Sequence, residues 1–341
     1  MVIQLSDEEL APSLPRNPSY GIGIIGCGEI VNIAHLVAYK AANLNVVACY
    51  DINESAAKAT AEKFDIPHVC SSLDELLSDE RVQIVDIAIH VEGRLDTIKK
   101  AAQANKHMLV QKPLAHNYNE AEEMVKCAKE NNVKMQVNQQ ARWAGTHVLM
   151  KRWLEMGAIG SPNTIHLHVR GWQDDPKTWY VKQENFTILD HGIHYFDLLR
   201  FFAQSEHASV QAIQKSISGQ VAIAPTVYAC FIEFENDMTA FHSFHNKVET
   251  ENPWELSLII DGYEGMLSCD FKKVALERKD GVTMSHEPLS KWFPDAFLGP
   301  MSDLMDAIEE NREPTCSGGE NLKTLKLVLD TVESAEKNVY V

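Results

Sequence analysis

Short apolar runs and helical stretches alternate strictly from Tyr20 to about residue 138 of this chain. The apolar runs, which we predict to be strands, are GIGIIG (21–26), NVVACYD (45–51), QIVDIAI (83–89), HMLVQ (107–111) and VKMQVN (133–138). The helical stretches between them cover about 29–41, 54–64, 93–105 and 118–131. Strands that are apolar on both faces are typical of a parallel sheet covered by helices on both sides. Residues 21–138 are therefore predicted to form a doubly wound parallel α/β domain.

The pattern changes after Gly145, where strands follow one another with fewer helices between them. The predicted strands are TIHLHVR, ASVQAIQKSI, TVYACFIEF, TAFHSFHNKV, ELSLII, GMLSCD and KVALERK. The predicted helices lie at about 146–156, 189–202, 300–311 and 320–337. Successive strands joined by short turns favour an open, mainly antiparallel or mixed sheet. We assign this α+β domain to residues 139–341.

Residues 1–20 contain three prolines, at positions 12, 15 and 18, and show little periodicity. We expect them to form an extended arm that is either disordered or lies on a neighbouring surface. The whole chain has 341 residues. At roughly 150 residues per domain, that length agrees with two domains.

Charge and cysteine usage exclude several classes of protein. Acidic residues outnumber basic ones by 48 to 31, which gives a formal net charge of −17. Phosphate backbones and anionic membrane surfaces are repelled by such a charge at long range. The seven cysteines form no Cys-x-x-Cys pair, which fits neither a zinc ribbon nor a disulfide framework. With no signal peptide and no long apolar run, we expect a cytoplasmic protein without nucleic-acid or membrane partners.

Gly26 and Gly28 follow the first predicted strand and open the first predicted helix, and Asp51 ends the second strand. The first glycine permits a tight turn, the second lets a pyrophosphate approach the backbone, and the helix start supplies N–H donors. The alternative is a tight turn and nothing more, but the position of the turn and Asp51 favour dinucleotide binding. The carboxylate would repel a 2′-phosphate, so NAD is favoured, although NADP is not excluded. Candidate cofactor contacts here are Gly26, Cys27, Gly28, Glu29, Ile30 and Asp51.

Asp190 and His194 lie four residues apart in the predicted helix at 189–202, so in an α-helix they would share a face. A carboxylate can orient an imidazole, and an imidazole can take a hydroxyl proton while a hydride leaves the same carbon. The alternative is a helix start with Asp190 as a cap and His194 as a core residue. Lys112 follows a strand at the edge of the parallel sheet where ligands bind. Its ammonium could stabilise a developing alkoxide, or it could be an ordinary loop lysine.

Three motifs together resemble those of the glucose-fructose oxidoreductase / inositol dehydrogenase / rhizopine-catabolism family, also called the Gfo/Idh/MocA family. They are Gly26-Cys27-Gly28-Glu29-Ile30-Val31, Gln111-Lys112-Pro113 and Asp190-x-Gly192-x-His194-x-x-Asp197. The resemblance covers the chain from about residue 20 onward. It implies an N-terminal Rossmann domain, a C-terminal α/β domain with an open sheet, and hydride transfer at a sugar or cyclitol carbon.

The resemblance also implies a catalytic set, a cis peptide bond and an assembly. The catalytic residues would be Lys112, Asp190 and His194. The peptide bond between Lys112 and Pro113 would be cis. Because the open sheet often forms subunit contacts in this family, the chain would form a homo-oligomer, a dimer or tetramer, through its C-terminal sheet.

Some positions depart from the family pattern. Gln111 replaces the glutamate of a Glu-Lys-Pro motif, which removes a negative charge close in sequence to Lys112. The segment 89–91 reads Ile-His-Val, where the family commonly has Thr-Pro and then Asn or a small residue. Val31 takes the place of a small residue in the glycine turn and could push the first helix slightly from the sheet. The candidate cofactor contacts around these departures are Ile89, His90, Gln111 and Lys112.

The segment Gly171–Tyr180 mixes aromatic side chains with carboxylates, as sugar sites often do. Aromatic faces can cover the C–H faces of a sugar, and carboxylates can bind its hydroxyls. A loop that only caps the core is an equally good interpretation. The candidate substrate contacts are Arg142, Trp172, Trp179, Asp190 and His194.

Arg142 and two histidines have alternative roles. Arg142 follows the last strand of the parallel sheet and could contact substrate or a cofactor phosphate, or form an interdomain salt bridge. His166 and His168 share a strand face, a spacing that can chelate a metal. No third ligand accompanies them in the sequence, so we predict no metal site.

These features predict an oxidoreductase that transfers a hydride between NAD(P) and a secondary hydroxyl or keto carbon. The substrate class would be a sugar, a sugar acid or a cyclitol. One alternative is an NAD-assisted, glycosidase-like enzyme of the same family, which would cleave a glycosidic bond without net redox change. A further alternative is a non-enzymatic sensor of NAD or sugar, against which Lys112, Asp190 and His194 argue.

Overall fold

The computed structural model describes residues 5–337, which contain thirteen strands in two sheets and ten α-helices. The strands are β1 (Ile22–Ile25), β2 (Val46–Tyr50), β3 (Ile84–Ile87), β4 (His107–Val110), β5 (Met135–Val137), β6 (Pro162–Arg170), β7 (His207–Lys215), β8 (Val227–Phe234), β9 (Thr239–His245), β10 (Glu255–Gly262), β11 (Gly265–Cys269), β12 (Val274–Arg278) and β13 (Thr283–His286). The helices are α1 (Asp7–Leu10), α2 (Leu36–Ala41), α3 (Glu54–Phe64), α4 (Leu73–Ser78), α5 (Arg94–Gln103), α6 (Tyr118–Glu130), α7 (Gly145–Glu155), α8 (Ile193–Ala203), α9 (Leu298–Glu309) and α10 (Gly318–Lys337). Among these helices of residues 5–337, none has the length and apolar character needed to cross a membrane.

The first five strands form one parallel sheet in the order β2–β1–β3–β4–β5. β1 and β3 are buried along their whole length, as expected for strands covered on both faces. Because the strand order reverses at β1, the loops after β1 and β3 begin side by side at the carboxyl edge of the sheet. Ligands bind at this edge in open α/β sheets. The structure confirms the predicted doubly wound parallel sheet.

The parallel sheet belongs to a compact unit, here called the parallel-sheet unit, that comprises residues 11–144 and 292–322. α9 joins its core, since Met301 and Leu304 are fully buried in one cluster with Ile22. The division drawn from the sequence, with one domain at 21–138 and the other from 139 onward, places α9 differently. An amphipathic helix reveals its apolar face in the sequence, but not the sheet on which that face packs.

Side-chain caps begin three helices of the parallel-sheet unit. Asn53 caps α3, Ser72 caps α4 and Asn117 caps α6, each by accepting a hydrogen bond from a backbone N–H of the first turn. The sequence analysis did not predict α4, because its six residues carry too little periodicity to separate it from a loop. The local signal for this helix is the capping pair Ser72 and Glu75.

The remaining eight strands form a second sheet in the order β13–β12–β11–β10–β6–β9–β8–β7. Neighbouring strands are antiparallel except β6 and β9, which pair in parallel. Along β6, Ile165, Leu167 and Val169 are buried while His166 and His168 are exposed, so the sheet has one core face and one open face. The structure confirms the predicted open, mainly antiparallel sheet. It adds the short polar β13, which the sequence analysis did not predict.

This sheet belongs to a second compact unit, here called the eight-strand unit. The unit comprises residues 5–10, 145–291 and 323–337. α8 packs on β6 and is buried along nearly its whole length. Arg200 of α8 donates to the hydroxyl of Thr324, and that hydroxyl donates in turn to Asp197. These buried hydrogen bonds hold α8 to α10.

The described part of the N-terminal arm lies on the surface of its own chain. Leu10, which ends α1, is fully buried, and α1 packs on α7. Farther along, the N–H of Arg16 donates to Asp306, and Asn17 donates to Glu309. The arm therefore includes a helical turn where an extended segment was expected. Residues 1–4 of the arm, and residues 338–341 of the expected second domain, lie outside the described residues.

Candidate active site

The turn after β1 contains two glycines with different structural roles. Gly26 has a φ of +95°, and a Cβ at this position would lie 2.6 Å from the carbonyl oxygen of Ala88. Another residue would therefore be strained here. A Cβ at Gly28 would meet no atom of the chain within 4 Å, so packing within the chain does not require a glycine at this position. The bare, exposed backbone at Gly28 suits the close approach of a phosphate.

Asp51 closes this turn from the end of β2. Its Oδ2 accepts a hydrogen bond of 2.7 Å from the backbone N–H of Cys27, and its Oδ1 accepts one of 2.7 Å from Asn53. Asn32 braces the other side of the turn by donating to the carbonyl oxygens of Cys27 and Gly28. Asp51 is half-buried, and each carboxylate oxygen has a further lone pair for a donor such as a ribose hydroxyl.

The helix that follows the turn begins as a π-helix over Val31–His35 and continues as α2. Glu29 is exposed and Ile30 half-buried at its start. Val31 is fully buried in the core, and the wide π-turn begins at this residue, where a small side chain is usual. The same turn brings His35 to the buried Asp86 of β3. Such π-turns are rare in proteins and are frequent at functional sites.

Cys27 lies between the two glycines as a buried thiol. A hydrogen bond with the Cys49 thiol, together with burial, raises the pKa of Cys27 well above its usual range. The thiol is therefore neutral at physiological pH and adds no negative charge to a turn suited to phosphate. All seven cysteines of the chain are free thiols in the structure.

Lys112 follows β4 in a loop held by buried contacts. Its peptide bond with Pro113 is cis, as the resemblance implied. Its backbone N–H donates to Oε1 of Gln111 at 2.8 Å. Arg94, the first residue of α5, is almost fully buried and donates to the carbonyl oxygens of Gln111 and Ile89. Arg94 therefore ties together the loops that follow β3 and β4.

The sequence analysis missed Arg94. A cation in the first turn of a helix is electrostatically unfavourable, so an arginine at the start of a predicted helix is a signal that could have found it. The residues that it organises were predicted as cofactor contacts. Ile89, Gln111 and Lys112 are half-buried at the carboxyl edge of the sheet, and His90 is exposed there.

In the eight-strand unit, Asp190 and His194 lie where a π-helix becomes α8. The π-helix spans Phe186–His191, and α8 begins at Ile193. Asp190 is half-buried, and His194 is 8% exposed in the first turn of α8. The prediction of a shared face assumed one continuous α-helix. Because the backbone is π-helical through Asp190, α-helical spacing does not decide where this carboxylate points.

Two other members of the Asp190–Asp197 motif have structural roles. A Cβ at Gly192 would lie 2.4 Å from the carbonyl oxygen of Ile188 and 2.7 Å from the hydroxyl of Tyr228, so this position requires glycine. Asp197 is 1% exposed and accepts the Thr324 hydrogen bond that holds α8 to α10. These two residues build the helix that carries Asp190 and His194.

The loop after β6 exposes two tryptophans and buries a carboxylate. Trp172 is 39% exposed and Trp179 is 44% exposed. Asp174 is 4% exposed, accepts the backbone N–H groups of residues 221–222, and pairs with Lys247 at 3.1 Å. Its role is therefore to anchor this loop. The proposed mixture of aromatic and carboxylate contacts to a sugar does not hold for this carboxylate.

Ring contacts connect the tryptophan loop to the π-helix. Trp179 packs edge-on against Tyr180 at 5.7 Å, and Tyr180 stacks on Phe186 at 4.6 Å. Phe186 stacks on His191 at 5.8 Å, and His191 meets Trp254 edge-on at 5.4 Å. This row holds the loop of Trp179 close to the segment that carries Asp190.

Arg142 lies in the parallel-sheet unit, in a 3₁₀ turn after β5, where it is 8% exposed. The outward histidines of β6 lie in the eight-strand unit and have partners of their own. His166 stacks on Phe241 at 5.2 Å, and His168 lies 2.8 Å from the hydroxyl of Ser243. These are the contacts of both histidines on the open face of the sheet.

Another set of metal-ligand side chains was not considered in the sequence analysis. Within residues 5–337, the side chains of His68, Cys70 and Glu75 bring potential ligand atoms within 4.8 Å of one another. Glu75 accepts hydrogen bonds from the N–H and hydroxyl of Ser71 and pairs with His68 at 3.1 Å. Capping at the start of α4 accounts for this arrangement.

Two family models match the chain. The model described as "Oxidoreductase family, NAD-binding Rossmann fold" matches residues 20–139. The model of the GFO/IDH/MocA C-terminal domain matches residues 147–268. The N-terminal match shows an NAD-binding Rossmann domain, in agreement with the parallel sheet and the turn of Gly26 and Gly28.

Curated relatives and solved structures match nearly the whole chain. D-apiose dehydrogenase of Paraburkholderia graminis is 26% identical over 334 residues, which cover 92% of this chain and 87% of the relative. Myo-inositol 2-dehydrogenase of Thermotoga maritima is 22% identical and covers 93% of this chain and 96% of the relative. An oxidoreductase from Agrobacterium radiobacter, solved with NAD+, L-tartaric acid and magnesium, superposes with a TM-score of 0.86 at 23% identity, covering 95% and 98% of the two chains.

Proposed function

Because the chain belongs to the GFO/IDH/MocA family of oxidoreductases, we propose that it is an NAD-dependent dehydrogenase or reductase acting on CH–OH groups. Its substrate is a sugar, a sugar acid or a cyclitol, in which a secondary hydroxyl is interconverted with a ketone. The names of relatives that act on apiose and inositol support this class. The glycine turn closed by Asp51 carries the proposal, since it joins bare backbone, a helix start and an acid in one place.

The residues of this turn fit a dinucleotide. The turn itself requires a glycine at position 26. No contact within the chain requires a glycine at position 28, where the missing side chain leaves room for a pyrophosphate. Asp51 has lone pairs for ribose hydroxyls, and the segment 28–30 offers N–H groups at the helix start. When bound, NAD supplies the hydride acceptor or donor, which no side chain can supply.

The choice between NAD and NADP follows from Asp51. Its carboxylate favours the 2′-hydroxyl of NAD and repels the 2′-phosphate of NADP. Ile89, His90 and Gln111 contribute further contacts to the cofactor from the loops that Arg94 holds. We therefore assign NAD as the preferred cofactor, with NADP as the weaker one.

His194 moves the proton of the reacting hydroxyl in this mechanism. As the alcohol is oxidised, its O–H proton would pass to the His194 imidazole. Asp190 orients that imidazole. Lys112 donates a hydrogen bond to the same oxygen and stabilises its alkoxide character, with its backbone held by Gln111. In the reduction, His194 returns the proton to the oxygen.

Substrate contacts come from exposed aromatic side chains. Trp172 and Trp179 cover C–H faces of the substrate, which suits their exposure. Arg142 binds a hydroxyl or a carboxylate of the substrate.

We also propose that the chain is a cytoplasmic homo-oligomer, a dimer or tetramer. Its interface is the open face of the eight-stranded sheet, on which Ile213 and Phe241 are about half exposed, at 49% and 47%. Exposed apolar side chains grouped on one face are typical of subunit contacts. The seven free thiols suit a reducing compartment.

An initial-rate screen tests the proposed function. The full-length protein is assayed for NADH formation with aldoses, sugar acids and inositols, each with NAD and with NADP. His194→Ala is assayed in parallel and is expected to lower kcat by roughly 100-fold or more, the scale of lost acid–base catalysis, with NAD still bound. Near-normal turnover in that variant would contradict the role of His194 as the proton acceptor. Release of free sugar without NADH would favour the glycosidase-like alternative.

A further inference from the structure

Gln111 takes part in a buried hydrogen-bond network within the parallel-sheet unit. His35 and Asp86 are 1% and 0% exposed, and Nδ1 of His35 lies 2.7 Å from Oδ2 of Asp86. Tyr39 donates its hydroxyl to the same oxygen at 2.7 Å. Nε2, the other ring nitrogen of His35, lies 3.2 Å from the side-chain nitrogens of Gln111 and Asn138.

Donor and acceptor rules assign the protons in this network. The N–H of Lys112 can only donate, so the side-chain atom of Gln111 that it meets at 2.8 Å is the carbonyl oxygen. The NH2 group of Gln111 then points to Nε2 of His35, which has to accept. The ring proton is therefore on Nδ1, from which it is donated to the carboxylate of Asp86.

We propose that Gln111 is a positioning residue that holds the backbone of Lys112 and, with the same amide, keeps His35 neutral with its proton on Nδ1. The side chain does both because its ends differ, one oxygen that accepts and one NH2 that donates. The assignment of Lys112 to the reaction rests on the proposed function. The protonation of His35 follows from the hydrogen bonds alone.

This arrangement explains how a glutamine can occupy the position of the family's glutamate. A glutamate there would present two acceptors, one for the N–H of Lys112 and one facing Nε2, which would then need a proton. His35 would become a cation between two carboxylates. With glutamine, Asp86 carries the single negative charge of the network; with glutamate, two carboxylates and one imidazolium give the same net charge. Relative to glutamate, glutamine therefore removes one carboxylate charge beside Lys112 and one proton from His35 together, so the net charge of the network stays the same.

The other groups around His35 suit a neutral ring. The ring of Phe297 packs against it at 5.1 Å, and the NH2 group of Asn138 lies 3.2 Å from Nε2, where it shares the single lone pair with the NH2 of Gln111. Within residues 5–337, Oδ1 of Asp86 has no hydrogen-bond partner, so its charge depends on the two donors at Oδ2. In such a buried place, a cationic ring would be costly unless a second carboxylate faced it.

Nitrogen NMR of the imidazole rings tests the protonation of His35. The full-length protein is labelled at its histidines, and the His35 signals are identified by their loss in His35→Asn. The wild type is expected to show a neutral ring with the proton on Nδ1, and Gln111→Glu a ring protonated on both nitrogens. Tyr39→Phe is the matched control, because it removes a hydrogen bond from Asp86 and leaves Gln111 in place, so the tautomer is retained. A proton on Nε2 in the wild type overturns the proposal, as does an unchanged neutral ring in Gln111→Glu.

Kinetics then separate positioning from folding. Gln111→Glu keeps an acceptor for the N–H of Lys112, so we expect it to lose less kcat than a variant without an acceptor. Gln111→Met keeps the length but no acceptor, and its kcat is expected to fall roughly tenfold, about the worth of one hydrogen bond. Equal losses in both variants contradict the positioning role. If the wild type oxidises no sugar or cyclitol, the proposed function fails, while NMR still decides the protonation of His35.

Discussion

The two compact units hold their candidate functional residues in different ways. In the parallel-sheet unit, the glycine turn offers backbone atoms to the cofactor, and Asp51 and Arg94 bond directly to the backbone of this turn and of the neighbouring loops. In the eight-strand unit, the candidate residues are side chains on a π-helix and on an exposed loop, placed by ring stacking and by Asp174. A site made of backbone atoms can be predicted from glycines and helix caps, which are visible in the sequence. A side-chain site depends on helix winding, which the sequence does not show.

Substitutions at the two glycines of the first turn test most directly whether backbone atoms bind the cofactor in the parallel-sheet unit. Gly26→Ala places a Cβ against the Ala88 carbonyl at positive φ, and we expect it to lower the free energy of unfolding by ~4 kcal/mol, from strain and overpacking together. Gly28→Ala should leave stability within ~0.5 kcal/mol, because its Cβ meets nothing in the chain. Denaturant unfolding and NAD titration measure both. If Gly28→Ala binds NAD normally, the turn does not hold the pyrophosphate.

Arg94 and Asp174 are the buried ions that hold loops in the two units, so they form a matched pair. Arg94→Ala leaves the carbonyl oxygens of Ile89 and Gln111 without their charged donor, and we expect a loss of ~3 kcal/mol in unfolding free energy and weaker NAD binding. Asp174→Asn should instead raise the KM for the sugar substrate and leave the Kd for NAD unchanged, because it loosens only the tryptophan loop. Isothermal titration with NAD and steady-state kinetics separate the two effects. A change in NAD affinity on Asp174→Asn contradicts this division of roles.

A buried histidine of the eight-strand unit sharpens the comparison with His35. Burial lowers the pKa of His242 to about 4, and the ring is held by the Leu167 carbonyl at Nδ1 and the Tyr228 hydroxyl at Nε2. An unfolded histidine titrates near 6.5. As pH falls below about 6.5, the unfolded state takes up a proton first, so stability is lost as pH falls towards 4, by ~2 kcal/mol at pH 5. Urea unfolding at pH 7 and pH 5 measures this loss, and His242→Gln should remove that part of it. An equal pH dependence in the variant would falsify the assignment.

The tryptophan loop is expected to give the smallest effect. Trp179→Ala and Trp172→Ala each remove an exposed ring, so we expect the KM for the sugar to rise roughly tenfold, with kcat and NAD affinity little changed. Trp254→Ala serves as a comparison, because this ring contacts His191 and its loss also disturbs the π-helix. Steady-state kinetics with the best substrate of the screen would show whether Trp172 and Trp179 bind sugar. Unchanged KM values in both variants would indicate that the two tryptophans only cap the core.

Where the sequence predicted well, local chemistry determines the structure. Apolar runs and glycine positions predicted twelve of the thirteen described strands and the turn of Gly26 and Gly28, and the family resemblance implied the cis peptide after Lys112; the structure confirms these features. The family and the NAD-binding domain follow from the same motifs. These features depend on residues that are close together in the chain.

Where the sequence analysis fell short, the cause is tertiary. The place of Arg94 in the first turn of a helix is unusual, but the sequence does not show that its guanidinium binds the carbonyl oxygens of two loops. The buried pair of His35 and Asp86 joins residues 51 positions apart, which no local pattern can indicate. The carboxylates of the segment Gly171–Tyr180 were considered for sugar binding as a group, and the sequence does not show that one of them, Asp174, has fixed partners at 221–222. The π-helical winding at Asp190 is likewise not indicated by any local pattern in the sequence.

The parallel-sheet unit is assembled from two separate stretches of chain, with residues 145–291 inserted between them. During synthesis, residues 11–144 leave the ribosome well before α9, whose Met301 and Leu304 complete their core. At typical elongation rates this delay lasts on the order of ten seconds or more, during which the apolar surface that α9 covers has no partner. A fragment that ends near residue 144 therefore makes a poor isolated nucleotide-binding domain. A fragment in which a short linker replaces 145–291 and residues 292–322 are retained keeps the whole core.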